Sequence, residues 1–196
     1  MSIKAVINPF EKIAGAKSLF IGMAAVMVAG IMGYLSKTHF DGILNVHSGM
    51  QSEWFVHIAE PMLSIAVIAL WFLLFAIIFG KQNVRAIDVV GTQFFAFIPL
   101  VPASLLGFFE VTEVISQALQ QFVADPTGRL EVSDAQMVSF IGLMIIVLLL
   151  TVWSAVWIYN GFKVAANLPR PVHIPVYISG LIVGMLVPKL LISIMI

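Results

Sequence analysis

The sequence predicts an all-α, polytopic integral membrane protein with five transmembrane helices and one amphipathic interfacial helix. Three observations carry this reading. First, 61% of the 196 residues are hydrophobic and 10% are charged, with a mean hydropathy of +1.06. A soluble domain carries about 25% charged residues. Second, five apolar runs reach the length of about 20 residues that a helix needs to cross a hydrocarbon layer of about 30 Å. Third, none of the runs alternates as a membrane barrel strand does. Helices then remain as the way to satisfy every backbone group in lipid. This composition excludes an ordinary cytosolic enzyme, a nucleic-acid binder and a disordered linker. Ten basic and ten acidic residues cancel, so no overall charge draws nucleic acid. The absence of cysteine excludes disulfides, thiol catalysis and Cys-ligated metal.

The five runs follow in order. Residues 18–35 lie between Lys17 and Lys37 without a charge. Lys4, Lys12 and Lys17 before an apolar run resemble a signal peptide, but no small-x-small cleavage site precedes Ser36, so a retained span is expected. Residues 61–79 follow Glu60 and stop before Gly80-Lys81. Residues 89–109 follow Asp88 and stop before Glu110. Residues 137–159 follow Asp134 and stop near Lys163. Residues 174–196 contain one charge, Lys189. The expected organisation is a short cytoplasmic segment, 1–17, and a single membrane domain, 18–196.

Basic residues accumulate on the cytoplasmic side. Lys4, Lys12, Lys17, Lys81, Arg85, Lys163 and Arg170 fall on one side of a five-span chain, against Lys37 and Arg129 on the other. That split predicts a cytoplasmic N-terminus and a C-terminus outside. Trp157, Tyr159 and Tyr177 would then rest at the cytoplasmic interface, and Tyr34 and Trp54 at the outer one. Leu168-Pro169-Arg170-Pro171 forms a stiff turn that ends the fourth span.

The outer loops carry more information. Val111, Val114, Ile115, Ala118, Leu119, Phe122 and Val123 recur at helical spacing, with Glu110, Glu113, Gln117, Gln120 and Gln121 mostly opposite. This predicts a helix over 111–123 that lies along the interface. Asp125-Pro126-Thr127-Gly128 then turns the chain, and Ser133 with Gln136 fits a capping box. The first outer loop holds His39, His47 and His57. Glu53, His57 and Glu60, spaced i, i+4 and i+7, share one face if the second helix begins before Pro61. An imidazole and two carboxylates are able to hold a divalent metal. The plainer expectation is a hydrogen-bonded cluster with no metal.

Within the spans, Lys189 is the conspicuous charge. It is expected to be structural, snorkelling outward or pairing with Glu60, Glu110 or Glu113. Gln93 and Asn160 are expected to make helix–helix hydrogen bonds. Gly180 and Gly184 form a GxxxG, and Ala25, Ala29 and Gly33 a second small-residue stripe; both allow close helix approach, inside one chain or between copies. Pro99, Pro102 and Pro188 are expected to bend or interrupt the third and fifth spans. The chain has no nucleophile triad, metalloprotease helix motif, phosphate-cradling glycine loop or hydrolytic carboxylate pair. No enzyme and no cofactor are expected.

Several stretches resemble a known family. Asn8-Pro9-Phe10 and Ile13 precede the first span, and Gly80-Lys81-Gln82-Asn83-Val84-Arg85 follows the second. Phe97 through Pro99 lies inside the third, and Trp153-Ser154 leads to Gly161-Phe162-Lys163. With five spans and short loops, these are similar to the Yip (Ypt-interacting protein) membrane domain, particularly its short bacterial branch. The resemblance implies a non-enzymatic protein that scaffolds or organises membranes, in the bacterial inner membrane if the source is bacterial. Eukaryotic members work in vesicle traffic with Rab-type GTPases after a longer cytosolic segment, so that role transfers poorly to the short segment here. The expected partners are the bilayer, other membrane proteins or a second copy of the chain, with no nucleic acid. The alternative is a small transporter or channel that uses Lys189 within the bundle.

Overall fold

The computed structural model describes residues 3–80, 84–125 and 132–195. Helix α1 spans Ile3–Ile7, and a 3-10 turn over Pro9–Glu11 leads into α2, Gly15–Ser36. Strands β1, Thr38–Gly42, and β2, Asn45–Ser48, form a hairpin. Then come α3, Trp54–Phe79, and α4, Ala86–Ala96, which continues as a 3-10 helix over Ile98–Phe108. Helices α5, Glu110–Ala124, α6, Asp134–Ala166, and α7, Arg170–Met195, complete the chain. Five of these helical stretches are long and apolar enough to cross a membrane, the third being Ala86–Phe108 as a unit. The chain is therefore read as a multi-pass integral membrane protein. The Lys81–Asn83 part of the loop after α3 and the turn at 126–128 lie outside the described residues.

The third span is the centre of the bundle. Within its apolar window 72% of residues are buried, against 17% in the corresponding windows of α6 and α7. Pro99 and Pro102 explain its two-part form: each lacks an N–H, so the α-helical ladder gives way to i, i+3 bonding. Helix α2 lies along this span through a glycine face. A Cβ at Gly22 would meet the Phe95 backbone nitrogen at 2.5 Å, and one at Gly91 would meet the Ser18 hydroxyl at 2.7 Å. Around the contact, Ile65, Ile68, Phe72, Leu100, Ile158 and Phe162 are buried to within 1% of completely, and the Phe72 and Phe162 rings stack with centroids 4.2 Å apart.

The N-terminal segment is fastened to α6. A short helix leaves its last carbonyls without intrahelical partners. Trp153 and Trp157 both donate their indole N–H to the Val6 carbonyl, and the Asn160 amide donates to that of Ile7. Phe95 and Trp157 stack on each other, and Phe10 packs edge-on against both. Trp157 is thus 8% exposed. The segment before α2 folds back and covers it.

Helix α5 forms over the expected segment and buries Thr112, Ile115 and Ala118, while Leu119, Phe122 and Val123 of the expected apolar face are exposed. The capping box at the start of α6 is formed, Ser133 and Gln136 each bonding the other's backbone.

The hairpin was not anticipated. Residues 37–53 were expected to be loop; instead β1 and β2 pair antiparallel, His39 opposite His47 and Gly42 opposite Asn45, with an irregularity between them. An isolated two-stranded hairpin is marginal in water, and this one is wedged into the bundle. Phe40 and Ile43 are 1% and 2% exposed. Ile43 packs near Gly184, which also faces Ile68. Ile68 lies about 21 Å along the axis from the first residue of α3, and Gly184 about 16 Å from the last of α7. Non-helical backbone at such depth requires cover by protein. One bond here is dictated by sequence. Pro188 has no N–H for the carbonyl four residues earlier. That carbonyl, Gly184, accepts the Ile43 N–H at 2.9 Å.

Candidate functional site

Where α2 ends, β1 begins and α3 starts, buried polar groups converge. Glu60 and His57 stand one turn apart on α3 and point the same way, as an i, i+3 pair does. Glu60 is 3% exposed and His57 fully buried. Glycines of α2 make the approach possible: a Cβ at Gly33 would meet the Thr38 carbonyl oxygen at 2.7 Å, and one at Gly30 the His57 carbonyl oxygen at 3.0 Å. Of the expected stripe Ala25, Ala29 and Gly33, the last two are buried and Ala25 is half-buried, while Gly22 and Gly30 make further close contacts.

Glu60 holds β1 with both oxygens. Oε1 lies 2.8 Å from His39 Nδ1, and Oε2 accepts the Phe40 N–H at 2.9 Å. His57 Nδ1–H donates to the Thr38 carbonyl at 2.9 Å. The His39 and His57 ring centroids are 4.3 Å apart, and His47 stacks on His39 at 5.5 Å. The other His39 nitrogen, Nε2, lies 3.0 Å from the Met50 carbonyl. His39 thus faces an acceptor at each nitrogen. Burial works to lower its pKa, but the Glu60 hydrogen bond, the Met50 carbonyl and the nearby carboxylate charges outweigh it, and the net shift is upward. His57 is different. With Nδ1 donating, Nε2 carries a lone pair. That Nε2 is buried and makes no hydrogen bond among the described residues.

A second polar group adjoins the first on the other side of β1. Asp41 Oδ2 lies 3.3 Å from Lys189 Nζ and 3.4 Å from His47 Nε2, and Asp41 Oδ1 accepts from the Asn45 amide. Burial works to raise the Asp41 pKa, but His47 and then Lys189 outweigh it and hold the carboxyl at about 2. His47 is raised, chiefly through its hydrogen bond to Asp41, against burial.

The expected site residues fare unequally. His57 and Glu60 come together as their spacing required, but the third member is His39, from β1. Glu53 is exposed at the start of α3, where with Met50, Gln51 and Ile192 it lines an open cavity. Lys189 is paired, but with Asp41. Glu60 is committed to β1, Glu110 is exposed beside α6, and Glu113 lines a groove beside Ser36 and Gln117. Gly180 packs on Phe72 and Trp71, and Gly184 on Ile43 and Ile68, so the GxxxG serves contacts inside this chain. Gln93 makes a long 3.4 Å contact to Thr92, while its Oε1 is without a partner among the described residues.

His39, His57 and Glu60 each offer one ligand-type atom, and these atoms lie within 4.8 Å of one another. The arrangement is able to share a proton, brace β1 against α3, or hold a cation. No family model, curated protein or solved structure matches the chain, so its resemblance to the Yip membrane domain rests on the quoted stretches alone.

Proposed function

We propose that this is a non-enzymatic integral membrane protein that organises or scaffolds other membrane components, with its N-terminus in the cytoplasm. The observation that carries this reading is the contrast between the bundle's interior and its flank. Apart from the polar cluster where β1 meets α3 and the isolated Thr92 and Gln93 on α4, the interior is filled by buried apolar side chains such as Phe72, Leu100 and Phe162. Helices α6 and α7 leave long apolar faces open, among them Ile141, Ile145, Leu149, Ile178 and Ile182, all at least half exposed. A solute path needs polar groups through the middle. An open apolar flank suits lipid, a membrane protein or a second copy of the chain. If the source is bacterial, the inner membrane is the location this reading implies.

Transport through the bundle is the second reading, favoured by the broken third span. Its charged candidate, Lys189, lies with Asp41 beside the hairpin rather than in the apolar interior. Photo-crosslinking side chains placed at Leu149 and, separately, at Phe72 distinguish the two readings in native membranes. The scaffold reading expects a reproducible protein adduct from Leu149 and none from Phe72. Lipid adducts alone at Leu149, together with solute flux in proteoliposomes that Lys189→Met abolishes, would replace scaffolding with transport.

A further inference from the structure

We propose that His39, His57 and Glu60 form a binding site for a divalent transition-metal ion of the zinc type, which fastens β1 to α3. The inference is independent of the scaffold reading. It rests on the donor set and on how each donor is held. Two imidazoles and one carboxylate suit zinc and its neighbours, and hard oxygen-seeking cations such as calcium far less. Their ligand atoms already lie within 4.8 Å of one another.

Two outer contacts orient the rings as metal-ligating imidazoles are oriented. A bound histidine usually donates its other N–H to a carbonyl or carboxylate. His57 does so to Thr38, which leaves Nε2 as the free lone pair. That lone pair is fully buried and otherwise without a partner among the described residues. A buried polar atom in this state is costly unless something binds it. His39 contacts the Met50 carbonyl through Nε2, so once that nitrogen is the donor, Nδ1 faces the Glu60 carboxylate with its own lone pair. A cation between them then replaces the proton that otherwise joins the pair. Glu60 keeps its second oxygen on the Phe40 N–H, which fixes the carboxylate. The three side chains leave a coordination position for water. The site joins two elements far apart in sequence and lies beside a hairpin with little stability of its own.

The test uses the full chain, purified in detergent on a non-histidine tag, treated with a chelator and titrated with zinc chloride alone against a chromophoric competitor. Cobalt(II) chloride provides a parallel visible-absorption readout. One equivalent is expected to bind, with a rise in the thermal transition. His57→Gln and His39→Gln should each weaken binding by more than the ~10–100-fold typical of losing an outer-sphere partner. His173→Gln serves as the control, because His173 also has a buried nitrogen without a partner among the described residues but stands near Phe162, away from the cluster. It should bind as the wild type does. Glu60→Gln covers the case in which a histidine variant fails to fold: it retains an acceptor for Phe40 and a donor for His39 but loses the charged ligand, and should bind at least ~10-fold more weakly. Folded wild type that binds no stoichiometric zinc would overturn the site. So would equal affinity in the Glu60→Gln and His173→Gln variants, which would mean adventitious binding.

Discussion

Glu60 is the side chain on which the docking of the hairpin most depends. Glu60→Leu removes two hydrogen bonds at once, to His39 Nδ1 at 2.8 Å and to the Phe40 N–H at 2.9 Å. All three groups are buried, with Glu60 at the floor of the cavity beside Glu53. A buried donor or acceptor left unsatisfied costs about 1–3 kcal/mol. The leucine strands an imidazole and an amide together, so the expected loss is about 2–6 kcal/mol. Glu60→Gln is nearly isosteric: its carbonyl accepts from Phe40 and its amide donates to neutral His39, so the expected loss is about 1 kcal/mol. Unfolding in detergent, followed by tryptophan fluorescence with chelator present, reads both variants. The double variant Glu60→Leu with His39→Leu should lose less than the two single changes together. If Glu60→Leu is as mild as Glu60→Gln, the carboxylate does not hold β1 and the reasoning fails.

Three further outcomes follow from the packing. Lys189→Met should cost no more than about 1 kcal/mol, because the lysine is 59% exposed and Asp41 retains His47 and Asn45; a loss above about 3 kcal/mol in the same unfolding assay would show the ion pair to be a principal brace. Gly22→Ala should destabilise by about 1–3 kcal/mol through overpacking against α4. Gly142→Ala, with open space around it, should be neutral or gain up to about 1 kcal/mol of helix propensity, so the opposite order in thermal unfolding would contradict the α2–α4 contact. Single cysteines are unambiguous in a chain that has none: Met50→Cys should react with an impermeant thiol reagent added outside intact cells and Lys12→Cys should not, whereas the reverse pattern would invert the topology.

The parts of the fold that were legible in the sequence are those set by local chemistry. Long uncharged runs gave the spans, Pro99 and Pro102 the break in the third, and Ser133 with Gln136 the start of α6. The periodicity of 111–123 gave α5. The hairpin was missed because its stability comes from burial in the bundle, which no local window records. The local signals also mislead: Asp41-Gly42 favours a turn at those two positions, whereas both belong to β1 and the chain turns at Ile43-Leu44. Missing the hairpin also hid the site. His57 and Glu60 were visible as a helix pair, but His39 joins them only when β1 folds down onto α3, a contact 21 positions away in sequence. The same gap assigned Lys189 to the wrong acid, since Asp41 was treated as loop. The cover over Trp157 is non-local in the same way: it comes from a segment about 150 residues earlier.

The wedged hairpin, whose tip lies between α3 and α7 and whose first strand brings His39 to His57 and Glu60 of α3, is the claim on which the rest stands. Cross-linking tests it most directly. A Cβ at Gly184 would lie 3.4 Å from the Ile43 Cβ, close to the roughly 3.8 Å mean across a disulfide. In this cysteine-free chain, Ile43→Cys combined with Gly184→Cys should form an intramolecular disulfide under mild oxidation in native membranes. Ile43→Cys combined with Gly142→Cys should not. A faster-migrating, reducible species from the first pair alone is the predicted result. Free thiols in the first pair, with the protein folded, would mean that the hairpin does not lie between the helices.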